Sequence, residues 1–355
     1  MIEIYKKIKR RKMLIIITLI VLVIFMAILC LFVGSSNMSF IESIKAIFYK
    51  SSEANNRIMY KIRMPRVLAC IIAGAGLALS GLIMQTTLQN SMASPSTLGV
   101  SNASVFGANL SMIVFAGGNI SSLNNLNNYF NQANPYQTSV MAFIFAFISV
   151  IIILGMCRLK AYSPSAVVLA GIAMGSIWSA GTTILQFFAT DVGLSASVVW
   201  SFGDLSRATY KTDIIMGIIV LIGFVFFYLC SWRFNVMLSG DDAATGSGVN
   251  VKALRFLSLL VASMLTAVCV SFLGIIGFVG IICPHVMKRI IGYDHKYLIP
   301  SSCLCGSLLL LIADTLSKAL GNGTALPVGA ITSIIGAPFF LYIIFSKREW
   351  YRCLK

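Results

Sequence analysis

Two histidines, nine cysteines and eleven carboxylate side chains are the first candidates this chain offers for proton transfer, nucleophilic attack or metal binding. The cysteines form no ligand pattern. No C-x-x-C pair occurs, and Cys303 and Cys305, two apart, match no usual zinc spacing. Most lie in apolar runs, where a free thiol behaves as a small hydrophobe. His285 and His295 alone give poor support to a haem or metal site. Asp241 and Asp242 are adjacent, but no nucleophile or ligand set accompanies them, so they are not a catalytic pair. Asp314 sits inside an apolar run, where an acid is a functional candidate by default. Lys318, four residues on, offers it an i,i+4 partner, which is the simpler account. No Ser/His set, paired Asp or H-E-x-x-H falls within an apolar run, so an intramembrane hydrolase is unsupported. No G-x-x-x-x-G-K-[ST] loop is present either, so the sequence shows no nucleotide site.

The elements that position these residues are membrane elements. The chain is 58% hydrophobic and 11% charged, with a mean hydropathy of +0.90, whereas soluble domains carry about 25% charged residues. Crossing a bilayer takes about 20 mostly apolar residues. The apolar runs predict ten spans, near 13–33, 64–86, 94–116, 138–157, 165–190, 213–231, 256–273, 276–291, 298–319 and 327–346. The expected fold class is therefore an all-α polytopic membrane protein of about ten transmembrane helices, multi-pass in the cytoplasmic membrane. One ten-helix domain over 13–346 is flanked by a basic cytoplasmic tail, 1–12, and a second tail, 347–355. The basic start and apolar run 13–33 imitate a signal peptide, but the run is too long for a signal core and no small-x-small site follows. It reads as a retained first span.

Ten spans put both termini on one side, and charge decides which. With N-in and C-in, the inner segments hold 18 of the 27 Lys and Arg, the bias expected of cytoplasmic loops. The net charge of +16 then suits anionic lipid headgroups; nucleic acid is not an expected partner, since no soluble basic domain exists to bind it. Six of the outer basic residues crowd between Lys45 and Arg66, against the rule, and so ask for a reason.

Between the sixth and seventh spans a cytoplasmic segment, 233–255, carries Gly240-Asp241-Asp242-Ala243-Ala244-Thr245-Gly246-Ser247-Gly248. The two carboxylates suit the start of a short helix. Gly246 and Gly248 would end it, and a second short helix is expected from about Val249. Two short helices at the surface would make a docking knob. Small residues mark close helix contacts: Gly74, Gly76, Ser80 and Gly81; Gly171 and Gly175; Gly274, Gly277 and Gly280.

That segment resembles the G-E-x-A-x-x-L-G-V coupling loop of the permeases that import iron-siderophores, haem and cobalamin. Arg63-Met64-Pro65-Arg66, followed by the small-residue cluster and Gln85, is similar to that family's R-L-P-R start of the second span. Asn90-Ser91-Met92-Ala93-Ser94-Pro95-Ser96-Thr97-Leu98-Gly99-Val100-Ser101 looks like its N-P-L-A-x-P-x-x-L-G-V-S. Gly274 to Gly280 with Pro284-His285 looks like its G-x-I-G-F-x-G…P-H. Leu326-Pro327-Val328-Gly329 and Gly336-Ala337-Pro338-Phe339-Phe340 look like its L-P-x-G…G-A-P-x-F ending. The order and spacing match from about Arg63 to Tyr342.

The resemblance implies a permease subunit of an ATP-driven importer. Two such subunits, identical or related, would line one central, apolar pathway with Met and Ser side chains. Two cytoplasmic ATPase subunits would dock on 240–248, with Gly240, Asp241, Asp242, Ala243, Ala244 and Gly248 as the coupling residues. ATP and Mg would sit on those partners, and this chain would bind no cofactor or metal and do no chemistry. An extracytoplasmic binding protein would meet Arg63, Arg66 and, before L-P-x-G, Lys318, where Lys keeps the charge without the bidentate fork. That gives the outer basic cluster its reason, headgroup snorkelling being the other account. The cytoplasmic gate would lie at Asn90 and Met92 and at Pro164 and Ser165. Ser91 and Pro164 depart there from the usual proline and small polar residue. The expected cargo is a ferric siderophore, with haem or cobalamin as alternatives. An ion-coupled secondary transporter would need acids or histidines near mid-membrane, and only Asp314 is counted as such.

Overall fold

A computed structural model describes residues 2–34, 40–48, 51–96, 98–116, 134–158, 163–321 and 325–345. The expected tail at 347–355 and residues 117–133 and 322–324 lie outside the described residues. Among them the chain is all-helical, with no strand. A long α1 (Ile2–Phe32) absorbs the basic stretch into its first turns, and α2 (Phe40–Ile47) follows. Next, α3 (Glu53–Ile58) runs through a π turn, Met59–Arg63, into α4 (Met64–Thr87). After α4 come α5 (Val100–Asn109), continued by a π segment Leu110–Phe115, then α6 (Pro135–Arg158), α7 (Pro164–Phe187) and α8 (Asp191–Ser201). The rest comprises α9 (Tyr210–Leu229), α10 (Ser231–Met237), α11 (Asp241–Gly246), α12 (Val251–Leu273), α13 (Val279–Ile291), α14 (His295–Leu320) and α15 (Val328–Phe345).

A helix stands at each expected span, and among the described residues seven are long and apolar enough to cross a bilayer: Lys6–Phe32, Glu53–Thr87, Pro135–Arg158, Pro164–Phe187, Tyr210–Leu229, Val251–Leu273 and His295–Leu320. The helices at the third, eighth and tenth places are shorter. The third starts at Val100 rather than 94, because Pro95 and the turns around it hold the chain out of helix. The eighth starts at Val279, leaving 274–278 irregular. Irregular backbone at membrane depth survives only inside protein, and this stretch is enclosed. Gly203 and Gly329 pack directly on the Ile275 carbonyl, the Asp204 N–H donates to Leu273 O at 2.8 Å, and the Val328 N–H donates to Gly203 O at 3.1 Å.

The centre of the bundle is α4. Within its apolar window 78% is buried, against 17% for α1, which lies at the rim. Glycines set how closely its neighbours approach. A Cβ on Gly74 would lie 2.4 Å from Gly306 O, and one on Gly81 would lie 1.9 Å from Gly280 O. Only backbone-to-backbone contact fits there, which is how small residues hold helices together in lipid. Ser80 adds a hydroxyl bond to Ala262 O at 2.7 Å.

The helix ends gather at two poles. One collects the end of α1, the start of α4 and the end of α14. The other collects the end of α4, α10, α11 and the starts of α12 and α14. Lys12 joins this second pole, 5.2 Å from the Tyr297 ring centroid. The expected basic N-terminus and the 233–255 segment therefore share one end.

Candidate functional site

At the first pole the structure brings two of the three expected docking cations onto one carboxylate. Arg66 Nε reaches Asp314 Oδ1 at 2.6 Å, and Lys318 Nζ reaches Asp314 Oδ2 at 2.7 Å. The i,i+4 pair read from sequence is thus present, but it is shared with a residue 248 positions away. Cys30 donates its thiol to Asp314 Oδ2 at 3.1 Å and receives Lys318 Nζ at 3.3 Å. Arg63 lies apart from this set and caps α1. Its Nη1 donates to Leu31 O at 2.7 Å and Phe32 O at 3.3 Å, while Lys318 reaches Cys30 O at 3.4 Å. Those carbonyls belong to the last turn of α1, the negative end of its dipole, where cations are favoured. All three cations are covered: Arg63 is 3%, Arg66 5% and Lys318 8% exposed.

The second pole presents the expected coupling residues. Gly240 (φ +103°) and Gly248 (φ +83°) stand either side of α11 in backbone states that only glycine adopts cheaply. Between them Asp242 and Ala243 face outward while Ala244 is fully buried. Asp241 points back: Arg255 Nη2 donates to both its carboxylate oxygens at 3.0 Å, and Arg255 Nε donates to Thr87 O at 3.0 Å. One buried guanidinium thereby ties α11 to the end of α4. The second short helix expected from Val249 does not exist as such. Asn250 caps Val251, accepting from the Ala253 N–H at 3.0 Å, and nothing breaks the helix before Gly274. The second short helix is α10, on the other side of α11. Its Asn235 holds the start of α14, contacting His295 Nδ1 and accepting the His295 N–H, both at 2.8 Å. His295 Nε2 meets Thr86 Oγ1 at 2.9 Å, so both ring nitrogens are engaged in structure.

Beside this pole, Pro284 cannot donate to the Gly280 carbonyl one turn back. Gln85 Nε2 takes that role, donating to Gly280 O at 3.3 Å and Ile281 O at 3.2 Å, while its Oε1 accepts from Lys288 Nζ at 2.7 Å. A cleft of about 470 Å³ opens next to it, between Gln85, Asn90, Gly240 and Lys288.

The expected gate residues occupy two places. Asn90 and Met92 share the turn after α4, Asn90 Oδ1 accepting from the Met92 N–H at 2.9 Å. Pro164 opens α7 with exposed Ser165 next to it. Each pair belongs to its own turn. Between α5 and α7 runs a groove of about 570 Å³ lined by Ser96, Asn102, Gly175, Ser176, Ser179 and Thr183. Asn102 Nδ2 donates across it to Gly175 O at 3.0 Å. At its far end Gln186 (α7) donates to Ser197 (α8) at 2.9 Å and to Asn109 (α5) at 3.4 Å.

The sequence reading missed Asp213. It was placed at the edge of a span, but it lies within α9, 2% exposed, with neither carboxylate oxygen hydrogen-bonded. An acid four residues inside an apolar helix was the available signal. Asp213 is therefore a second buried acid in a candidate span, in the first turn of α9.

Residues 20–346 match the FecCD transport family. The chain belongs to that family. It is 40% identical over 345 residues, 97% of this chain and 98% of the other, to an ABC transporter permease protein of Methanocaldococcus jannaschii. It is 34% identical to an Fe(3+)-citrate import system permease protein of Bacillus subtilis, covering 82% of this chain and 83% of the other. Further relatives carry the names of hemin, iron(3+)-hydroxamate and vitamin B12 permeases. A solved metal-chelate-type ABC transporter, in an inward-facing conformation, superposes with a TM-score of 0.79 at 26% identity, over 94% of this chain and 99% of that one. Family membership makes this a multi-pass protein of the cell membrane and a transport subunit of a type II ABC importer for iron chelates, haem or vitamin B12. In this family separate ATPases hydrolyse ATP, and a substrate-binding protein works with the permease.

Proposed function

We propose that this chain carries a ferric siderophore through the cytoplasmic membrane, paired with a second permease subunit and driven by two ATPase subunits that hold ATP and Mg. The observation that carries the cargo assignment is the groove between α5 and α7. Hydroxyls and an amide share its lining with Ile172, Ala180 and two glycines, with no charged or aromatic side chain, a mixed surface that suits a chelate presenting polar oxygen. A corrin or porphyrin would favour an apolar, aromatic wall. Ser176, Ser179 and Thr183 stand exposed on a helix whose other exposed residues include Leu169, Ile177 and Phe187. Ser176 and Thr183 bond back to the Ile172 and Ser179 carbonyls, both at 3.1 Å, so the support comes from three hydroxyls aligned on one exposed face beside the Asn102 amide, a face that suits a pathway shared with a second subunit. Relatives named for Fe(3+)-citrate and iron(3+)-hydroxamate import support the same cargo.

The positive-inside bias supports placing the second pole in the cytoplasm, with α11 and its neighbours Gly240 and Gly248 receiving an ATPase subunit. The first pole then faces outward, and Arg63, Arg66 and Lys318 are the cations that meet acidic side chains of the binding protein. Charge pairs of that kind steer docking and fix its register. Asn90, Met92, Pro164 and Ser165 lie on turns that two crossings would return to one membrane face, which supports a gate at the cytoplasmic end. The test is uptake of labelled ferric siderophore, haem and cobalamin by native cells with and without this chain. Selective loss of siderophore uptake is the expected result; selective loss of haem or cobalamin uptake would overturn the cargo assignment.

A further inference from the structure

The first pole holds an imbalance. Arg66 and Lys318 are two buried cations on a single carboxylate, Asp314, whose side chain is wholly buried. Arg66 uses Nε on that carboxylate, yet its Nη2 is buried with no hydrogen-bond partner. A guanidinium offers a fork of parallel donors that a second carboxylate could fill, and a buried donor left empty is costly. The cluster is thus satisfied enough to stay closed and one acid short of neutral.

We propose that Asp314 is an internal stand-in for a partner's carboxylate. It holds Arg66 and Lys318 in register while no partner is docked, and it gives up Arg66 when an acidic side chain of the binding protein arrives. This rests on the reading of the first pole as the docking face. It also accounts for the burial of the proposed docking cations: they are parked on an acid of their own chain. Asp314 is a positioning residue, since it acts through the two cations.

The test uses the assembled transporter with its ATPases in lipid nanodiscs, titrated with purified, cargo-loaded binding protein. Asp314→Asn is expected to tighten docking about tenfold, because nothing need be displaced, and to steepen its salt dependence. Unchanged or weaker docking by an assembled Asp314→Asn transporter overturns the stand-in role. Arg66→Glu separates the two claims. Retained docking in that variant sinks the docking reading itself, whereas loss of docking without tightening in Asp314→Asn sinks only the stand-in. Should Asp314→Asn fail to assemble, the wild-type protein still answers through the infrared S–H stretch of Cys30, whose thiol donates to Asp314, assigned with Cys30→Ser. A shift of that band on docking is expected; an unmoved band overturns the proposal.

Discussion

Arg255 shows how much can hang on one side chain that the sequence leaves unremarked in the 233–255 segment. It is 3% exposed, forks onto Asp241 and caps the end of α4. Arg255→Ala is expected to free α11 and to lower co-purification of the ATPase partner several-fold, with the permease itself still inserted; unchanged co-purification would contradict the anchoring role. Gln85 is the second such residue, since Pro284 frees a carbonyl to which its amide donates. Gln85→Leu leaves Gly280 O and Lys288 short of partners, at a cost of about 1–3 kcal/mol. The check is thermal unfolding in detergent, where an unchanged midpoint would refute the account. At this scale the sequence was partly legible. Local pairs such as Asp314 with Lys318 could be read from spacing, whereas partners separated by most of the chain, Arg66 with Asp314 or Gln85 with Gly280, depend on packing that no local pattern encodes. Asp213 was legible in principle and was lost because the boundary of its span was drawn through it.

Among the elements, the long apolar helices were readable because lipid demands an unbroken apolar run. The short ones were not. The break at 274–278, the half-length α13 and the fusion of the expected short helix into α12 are set by carbonyls of neighbouring segments and by the Asn250 cap. Glycines give the sharpest test of the packing. Gly81→Leu is expected to abolish assembly, since even its Cβ would strike Gly280 O. Gly246→Ala, where a Cβ meets nothing within 4 Å, is expected to be neutral in yield and uptake. Gly248→Ala also meets open space, but φ +83° makes it strained by about 1 kcal/mol. Gel-filtration yields that failed to rank the variants in this way would count against the placement of α4 and α11.

For the whole molecule, the account joins an outer pole of cations, a polar groove between α5 and α7 and an inner pole built around α11 into one transport subunit. Its family and membrane character follow from the match over 20–346; its cargo and the roles of its poles are proposals. Thr183→Leu with Ser179→Leu, which should leave folding intact because both side chains are exposed on α7, is expected to cut uptake by about tenfold without loss of protein in the membrane. The central claim meets its most direct test in proteoliposomes holding this chain, its permease partner and its ATPases, supplied with binding protein loaded with radio-iron siderophore. ATP-dependent accumulation of iron inside the vesicles, abolished when α11 is replaced by a flexible linker, is the predicted result. Accumulation that ignores ATP, or that persists without α11, would contradict it.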